Sequence, residues 1–217
     1  MLRRALIAEF IGSLLLACVV IGSGILAERL AAGNAAAALV GNTLATVAAL
    51  GVLIVLFGPL SGAQFNPVVS LVLALHGEQR WRIAVAYVPA QVVAMIAGAW
   101  LAHAMFGLPL MQSATQVRGS FGEALGEFVA TFWLLLTILG TLATRPVAVV
   151  LTVPAAIAAG YWFTSSTSFA NPAITIARSF TDSFSGVRPA DVANFIAAQL
   201  LGGVAALVVA RLLWRAR

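Results

Sequence analysis

Long apolar stretches, each bounded by a few polar or charged residues, recur along the chain. A helix needs about 20 mostly apolar residues to cross a bilayer, and six stretches approach or exceed that length. Their approximate bounds are residues 5–27, 36–57, 83–106, 121–142, 147–164 and 192–213. The pattern predicts six membrane-spanning helices.

Two shorter apolar runs each follow an Asn-Pro pair: Asn66 and Pro67 in the first half, Asn171 and Pro172 in the second. Asn caps the free amide groups at a helix start, and Pro tolerates the first helical position because that position needs no N–H donor. Neither run is long enough to span a bilayer. Two capped half-helices in corresponding places indicate a membrane site built from broken helices. The alternative is two ordinary turns that happen to be placed symmetrically.

The two halves of the chain resemble each other in sequence. AEFIGSLLLA matches GEFVATFWLL, SGAQFNPVVS matches STSFANPAIT, and an Ala-Gln pair lies in a later span of each half. Each half consists of span, span, half-helix and span, so the two copies are inverted relative to each other. We expect one transmembrane domain over residues 1–217, with repeats at about 1–110 and 119–217 and a site at their seam.

Composition supports a membrane protein, because 62% of the residues are hydrophobic and only 9% are charged. These values exclude a soluble globular domain. The basic residues are scattered and not clustered with aromatic residues, which argues against a nucleic-acid partner. The single cysteine, Cys18, cannot form a disulfide framework or a Cys-rich metal site within the chain, and no cofactor is expected.

The distribution of Arg predicts the orientation. With the N-terminus in the cytoplasm, eight Arg lie on the cytoplasmic side and four outside, and an excess of basic residues marks cytoplasmic loops. The first group is Arg3, Arg4, Arg80, Arg82, Arg145, Arg211, Arg215 and Arg217, and the second is Arg29, Arg118, Arg178 and Arg188. Both ends are therefore expected in the cytoplasm.

Glu9 and Glu127 occupy matching places in the first span of each half. A carboxylate within a span is costly and normally faces the protein interior with a partner. The two residues are either proton carriers or structural acceptors for the irregular backbone of the re-entrant loops, which has no water to bind. The structural role is favoured because the pair repeats with the fold and no His or Lys relay accompanies it.

Asn66 and Asn171 are the main candidates for solute contact. If each side-chain oxygen caps its own helix, the amide NH2 group is free to donate to a passing oxygen. Each half-helix also directs about half a positive charge towards the centre, which raises a barrier to cations but not to neutral molecules. The arrangement predicts a filter for uncharged solutes.

The paired Asn-Pro motifs, with AEFIGS, GEFVAT and the two Ala-Gln pairs, resemble those of the aquaporin and aquaglyceroporin (major intrinsic protein) family over essentially the whole chain. The resemblance implies an all-α membrane protein with six transmembrane helices, two re-entrant half-helices and an inverted repeat. It also implies a pore in each protomer, a homotetramer in contact with membrane lipid, and no enzymatic activity.

The chain departs from the family pattern at the pore. The first motif ends in Val68 where the family usually has Ala, as Ala173 is in the second, and the extra methyl groups are expected to narrow the centre slightly. Water-conducting members carry Arg directly after the second motif, and that place holds Ile174. The outer filter thereby loses a strong donor and a fixed charge.

The remaining filter positions, carried over without gaps, are Thr46, Ser168 and either Ala159 or Gly160. All are small, so the resemblance implies a wide, weakly polar outer filter.

Arg178 lies four residues after Ile174, on the same helical face about one turn away. One hypothesis is that it offers a positive charge to the outer vestibule and attracts oxygen-rich or weakly acidic solutes. The alternative is a structural ion pair with Asp182.

These observations favour a passive channel for small neutral solutes such as glycerol-like polyols or undissociated arsenicals, with water also possible. The run from Ser165 to Val187 is similar to bacterial aquaporin-like proteins associated with arsenic resistance, which implies a bacterial inner (plasma) membrane. Alternatives are a water-selective aquaporin and an ion-coupled secondary transporter, which would need ion-binding carboxylates at the midplane. An enzyme is disfavoured because His76 and His103 lack partners at ligand or triad spacing.

Overall fold

A computed structural model describes residues 2–214 as a bundle of eight α-helices without strands in that range. The helices are α1 Leu2–Leu30, α2 Ala35–Ser61, α3 Pro67–His76, α4 Trp81–Met105, α5 Phe121–Thr144, α6 Val149–Phe163, α7 Pro172–Arg178 and α8 Val192–Leu213. Short 3-10 turns, Pro146–Ala148 and Pro189–Asp191, precede α6 and α8. Six helical segments are long and apolar enough to cross a membrane, with α6 and α8 counted together with their 3-10 turns. The all-α prediction of six spans and two short helices is confirmed.

The two short helices begin at their Asn-Pro pairs, as predicted. Asn66 and Asn171 both have extended backbones, and each side-chain oxygen accepts a bond from an N–H of its own first turn. The helix α3 is ten residues long and α7 is seven, so neither can cross a bilayer.

The spans pack in equivalent pairs in the two halves, α1 on α4 and α5 on α8, while α2 and α6 join the halves. Glycine permits close approach in each pair. A Cβ added to Gly98 would lie 2.3 Å from the carbonyl oxygen of Leu14, and one added to Gly202 would lie 2.3 Å from that of Phe128. Small residues at such crossings allow backbones to pack tightly in a membrane, where the hydrophobic effect does not drive helix association.

An even number of spans places the start of α1 and the end of α8 on the same side of the bundle, here called the terminal face. The loop 62–66 enters the bundle from the terminal face, and the loop 164–171 enters from the opposite face. The short helices α3 and α7 contact each other inside the bundle. Arg215 and Arg217, which contribute to the predicted charge bias, lie outside the described residues.

Candidate functional site

The two re-entrant loops share an unusual backbone conformation. Ala63 and Phe65 in the first loop have φ of 48° and 46°, and Ser168 and Ala170 in the second have φ of 52° and 47°. Positive φ is uncommon for residues other than glycine and persists only where surrounding contacts enforce it. The loops therefore need strong partners.

Glu9 supplies those partners in the first half. Its Oε1 accepts bonds from the Ser61 hydroxyl (2.7 Å) and the Gln64 N–H (2.9 Å). Its Oε2 accepts bonds from the Phe65 N–H (2.7 Å) and Gln91 Nε2 (2.8 Å). The side chain is fully buried. All four groups donate hydrogen bonds to the carboxylate, as expected of a side chain that supports the loop.

Glu127 repeats this arrangement in the second half. Its Oε1 accepts from the Phe169 N–H (2.8 Å), and its Oε2 accepts from the Ala170 N–H (2.8 Å) and from Gln199 Nε2 (2.6 Å). Gln199 also donates to Thr175 Oγ1 at 2.9 Å, as Gln91 does to Ser70 in the first half. The Ala-Gln pairs of the sequence thus belong to the same support as the carboxylates.

The two Asn side chains link the loops to each other. Asn66 Nδ2 donates to the carbonyl oxygen of Ala170, and Asn171 Nδ2 donates to that of Phe65, both at 2.8 Å. The expectation that each NH2 group is wholly free for solute is wrong, because one of its two hydrogens binds the opposite loop. The second hydrogen of each NH2 group makes no bond to any residue between 2 and 214. Both Asn line the central cavity.

A cavity of about 130 Å³ runs between the helices and past both Asn. One wall is α6, which contributes Val149, Val153, Ile157 and Tyr161. These residues are spaced four apart and share a helical face that extends about 18 Å along the axis. The wall is mostly apolar, so polar contacts are concentrated at the two Asn and at the ends.

The end near the opposite face carries most of the predicted filter residues. Thr46, Ser168 and Ile174 lie on its wall, together with Tyr161 and Arg178. Thr46 Oγ1 is buried and has no hydrogen-bond partner within the described residues. Ile174 presents an apolar side chain where water-conducting members of the resembled family carry Arg.

The fifth-span prediction is wrong for Ala159. This residue is exposed on the outside of the bundle, because it lies two residues, or about 200° of helix rotation, from both Ile157 and Tyr161. Gly160 is buried behind the wall, where an added Cβ would lie 2.5 Å from Ser168 Oγ. The lack of a side chain at Gly160 makes room for Ser168, and Tyr161 is the wall residue.

Val68 does not narrow the centre as expected. Its side chain is buried against α8, where a Cβ added to Gly203 would lie 2.7 Å from Val68 Cγ2. The next residue, Val69, lines the cavity instead. Pro67, Pro172 and Ala173 are buried behind the two Asn and do not line the cavity.

The proposed ion pair between Arg178 and Asp182 does not form. The Asp182 carboxylate accepts bonds from the backbone N–H (2.9 Å) and hydroxyl (2.8 Å) of Thr115, which lower its pKa below the ordinary value. Arg178 is buried instead, with its guanidinium carbon 3.3 Å from the centre of the Phe169 ring and its Nε donating to the carbonyl oxygen of Ser185.

Sequence reasoning missed three residues at this end: Tyr161, Phe169 and Arg118. The hydroxyl of Tyr161 at the end of an apolar span was an available signal. Arg118 is a buried loop residue whose Nε donates to the Gly186 carbonyl oxygen at 2.9 Å. Burial lowers the pKa of its guanidinium. Its placement depends on a contact distant in sequence, which no local pattern reveals.

Comparison with known proteins agrees with this architecture. The model of a family described as "Major intrinsic protein" matches residues 1–160. Aquaglyceroporin AqpS of Rhizobium meliloti (strain 1021) is 51% identical over 210 residues, which cover 97% of this chain and 90% of that protein. Aquaporin NIP1-4 of Oryza sativa subsp. japonica is 33% identical over 140 residues, covering 63% of this chain and 49% of that protein.

Among solved structures, the X-ray structure of the aquaglyceroporin from Plasmodium falciparum has the same fold, with a TM-score of 0.75 and 20% identity. The match covers 96% of this chain and 95% of that chain. The similarity to the first relative and the extent of the family match confirm the resemblance stated from the motifs. The chain therefore belongs to the major intrinsic protein family, whose members are membrane channels for small solutes and not enzymes.

Proposed function

We propose that this channel conducts small uncharged solutes larger than water, such as glycerol-like polyols and undissociated arsenicals. The observation that carries the proposal is Ile174, an apolar residue on the same cavity wall as Ser168, whose side chain occupies the space left by the side-chain-free Gly160. Without an Arg at this place, the wall offers water one strong donor fewer, while the large side chains of Tyr161 and Arg178 line the same end of the cavity. The 51% identity to an aquaglyceroporin supports the same class of solute.

A polyol in this cavity would meet polar groups on one side and apolar groups on the other. The free amide hydrogens of Asn66 and Asn171 would donate to its oxygen atoms at the centre. The carbon backbone would pass along Val153 and Ile157 of α6. Undissociated metalloid acids carry hydroxyl groups in a similar arrangement and would use the same donors.

Charge selectivity would come from the centre. The half-helices direct their positive ends towards Asn66 and Asn171, which raises a barrier to cations while neutral solutes pass. No ion needs to be coupled to this movement. Glu9 and Glu127, the midplane carboxylates that a transporter would use, are occupied by loop donors.

The decisive experiment is a shrink-swell assay on proteoliposomes that compares water, glycerol and arsenous acid. We expect glycerol and arsenous acid to enter much faster than into empty liposomes. Ile174→Arg should reduce both fluxes, while Ile174→Val, which keeps an apolar wall, should retain them. Rapid water movement without glycerol movement would refute the proposal and favour a water-selective pore.

We further propose a homotetramer in a bacterial plasma membrane, with both ends of the chain in the cytoplasm. The terminal face carries Arg80, Arg82 and Arg145 at helix ends, which agrees with the excess of basic residues in cytoplasmic loops. Accessibility of single cysteines placed at Ala31 and Glu78 to an impermeant thiol reagent would test the orientation, with Cys18 replaced by Ala. Labelling of the Glu78 position from outside the cell would contradict it.

A further inference from the structure

The end of the cavity near the opposite face contains a buried cation that lacks an anionic partner. Arg178 is 3% exposed and lines the cavity. A guanidinium has five N–H donors, and Arg178 uses only the one on Nε, which binds the carbonyl oxygen of Ser185. Its two terminal nitrogens make no hydrogen bond to residues 2–214. Because Arg178 lines the cavity, these unpaired donors are available to a ligand there.

Carboxylates near this end are already engaged. The only ion pair within the described part of the chain joins Arg188 to Asp191. Asp182 binds Thr115. Glu127 supports the Phe169 and Ala170 amides from behind the loop. Buried charges are normally paired, because an unpaired ion loses its hydration without compensation.

A second guanidinium contacts the same aromatic ring as the first. The central carbon of Arg118 is 5.3 Å from the centre of the Phe169 ring, the same ring that Arg178 contacts at 3.3 Å. Arg118 is also buried, and its bonds go to the carbonyl oxygens of Gly186 (2.9 Å) and Ser166 (3.4 Å), which are uncharged. Two cations on one aromatic ring repel each other, and an anion bound at Arg178 would offset that repulsion.

The loop that holds Arg178 in place is itself fixed. His103 Nε2 is 2.9 Å from Thr181 Oγ1, Thr181 Oγ1 is 3.0 Å from Ser183 Oγ, and Ser183 Oγ is 3.3 Å from Ser185 Oγ. His103 Nδ1 is also 2.9 Å from the carbonyl oxygen of Leu110. This chain of hydrogen bonds positions the carbonyl group of Ser185, so the guanidinium is oriented before a ligand arrives.

We propose that Arg178, with Arg118 and Tyr161 nearby, forms a binding site for small, singly charged oxyanions at this mouth of the channel. A planar guanidinium matches the spacing of two oxygens in a carboxylate, sulfonate or related oxyanion, and such charge-assisted pairs are among the stronger hydrogen bonds in proteins. A weak oxyacid would be collected here as its anion. Ligands of this site are charged, so the site extends beyond the neutral solutes proposed above.

The test uses methanesulfonate, which stays singly charged at neutral pH, and chloride at equal ionic strength as the matched anion. Detergent-solubilised full-length protein is unfolded by heat in each salt. A ligand that binds only the folded state raises the midpoint of unfolding. We expect methanesulfonate to raise the midpoint more than chloride does. Equal midpoints in the two salts would overturn the proposal, whatever the variants show.

Variants locate the site. Arg178→Gln should raise the methanesulfonate concentration that gives half of the shift by about tenfold or more, since hydrogen bonds to charged groups are lost. Arg178→Lys keeps the charge without the planar donors and should be intermediate. Arg29→Gln is the control, because exposed Arg29 lies on the same side of the bundle and contacts the Phe106 ring at 5.1 Å. An equal rise of this half-shift concentration in Arg29→Gln and Arg178→Gln would overturn the assignment of the site to Arg178.

The binding assay does not depend on transport. A methanesulfonate shift in protein that fails to move glycerol would refute the proposed function and leave the oxyanion site standing. Glycerol flux without a methanesulfonate shift would support the proposed function and overturn the oxyanion site.

Discussion

The contact between Val68 and α8 allows a quantitative test of how the first motif departs from the family pattern. A Cβ added to Gly203 would lie 2.7 Å from Val68 Cγ2 and 3.2 Å from Val72 Cγ2. Real Cβ atoms do not approach other carbons so closely, so Gly203→Ala must displace the Val68 side chain or shift α3 or α8. Overpacking of this kind costs about 1–3 kcal/mol.

The complementary substitution on the other side of this contact, Val68→Ala, removes two buried methyl groups. Loss of one buried methyl typically costs about 0.5–1.5 kcal/mol, so Val68→Ala should cost about 1–3 kcal/mol. In the double variant, the methyl group introduced by Gly203→Ala occupies space that the valine vacated. The double variant should therefore lose less stability than the sum of the two single losses, by an interaction energy of about 0.5–3 kcal/mol.

The assay is unfolding of the detergent-solubilised protein for the wild type, both single variants and the double variant. Glycerol flux in proteoliposomes supplies the functional measurement, and Val68→Ala should leave it unchanged because Val68 does not line the cavity. Additive losses in the double variant would refute the contact. A change in glycerol flux for Val68→Ala alone would show that Val68 reaches the pore.

Three further predictions concern the loops and the filter. Glu127→Gln should lower the free energy of unfolding by about 1–3 kcal/mol, because one buried donor loses its acceptor; unchanged stability with altered proton dependence of transport would instead favour a proton carrier. Gly160→Val should reduce glycerol flux about tenfold, which is equivalent to a barrier raised by about 1.4 kcal/mol. Ala159→Val should leave the flux unchanged. Equal effects of the two substitutions in flux assays would contradict the orientation of α6. The bonds from Thr115 hold the pKa of Asp182 below its unfolded value, so their stabilisation is present above about pH 4 and is lost as the pH falls through the folded pKa. The stability difference between wild type and Asp182→Asn should accordingly shrink on acidification, and a difference that grows below about pH 4 would contradict this sign.

Several features could be predicted from sequence because local physics determines them. The bilayer sets the length of a span, and Asn66 and Asn171 start helices whatever surrounds them. A carboxylate in a span needs donors, and the irregular loops have unpaired N–H groups, which connects Glu9 to the Gln64 and Phe65 amides.

Other features depend on rotation or on distant contacts. The helix α6 is apolar on all sides, so its composition does not distinguish Ala159, which faces outwards, from Tyr161, which faces the cavity. The position of Arg178 depends on Ser185, which returns from a loop after α7 and binds Nε.

The reciprocal bonds of Asn66 and Asn171 have a consequence for biogenesis. Until the second half of the chain has inserted, Asn66 has no Ala170 carbonyl to bind, and the first loop lacks its counterpart at the midplane. The centre of the conduit is therefore completed only when both halves have joined. A chain without its second half consequently lacks both the Ala170 carbonyl group and half of the cavity wall, so it has no complete path through the bilayer.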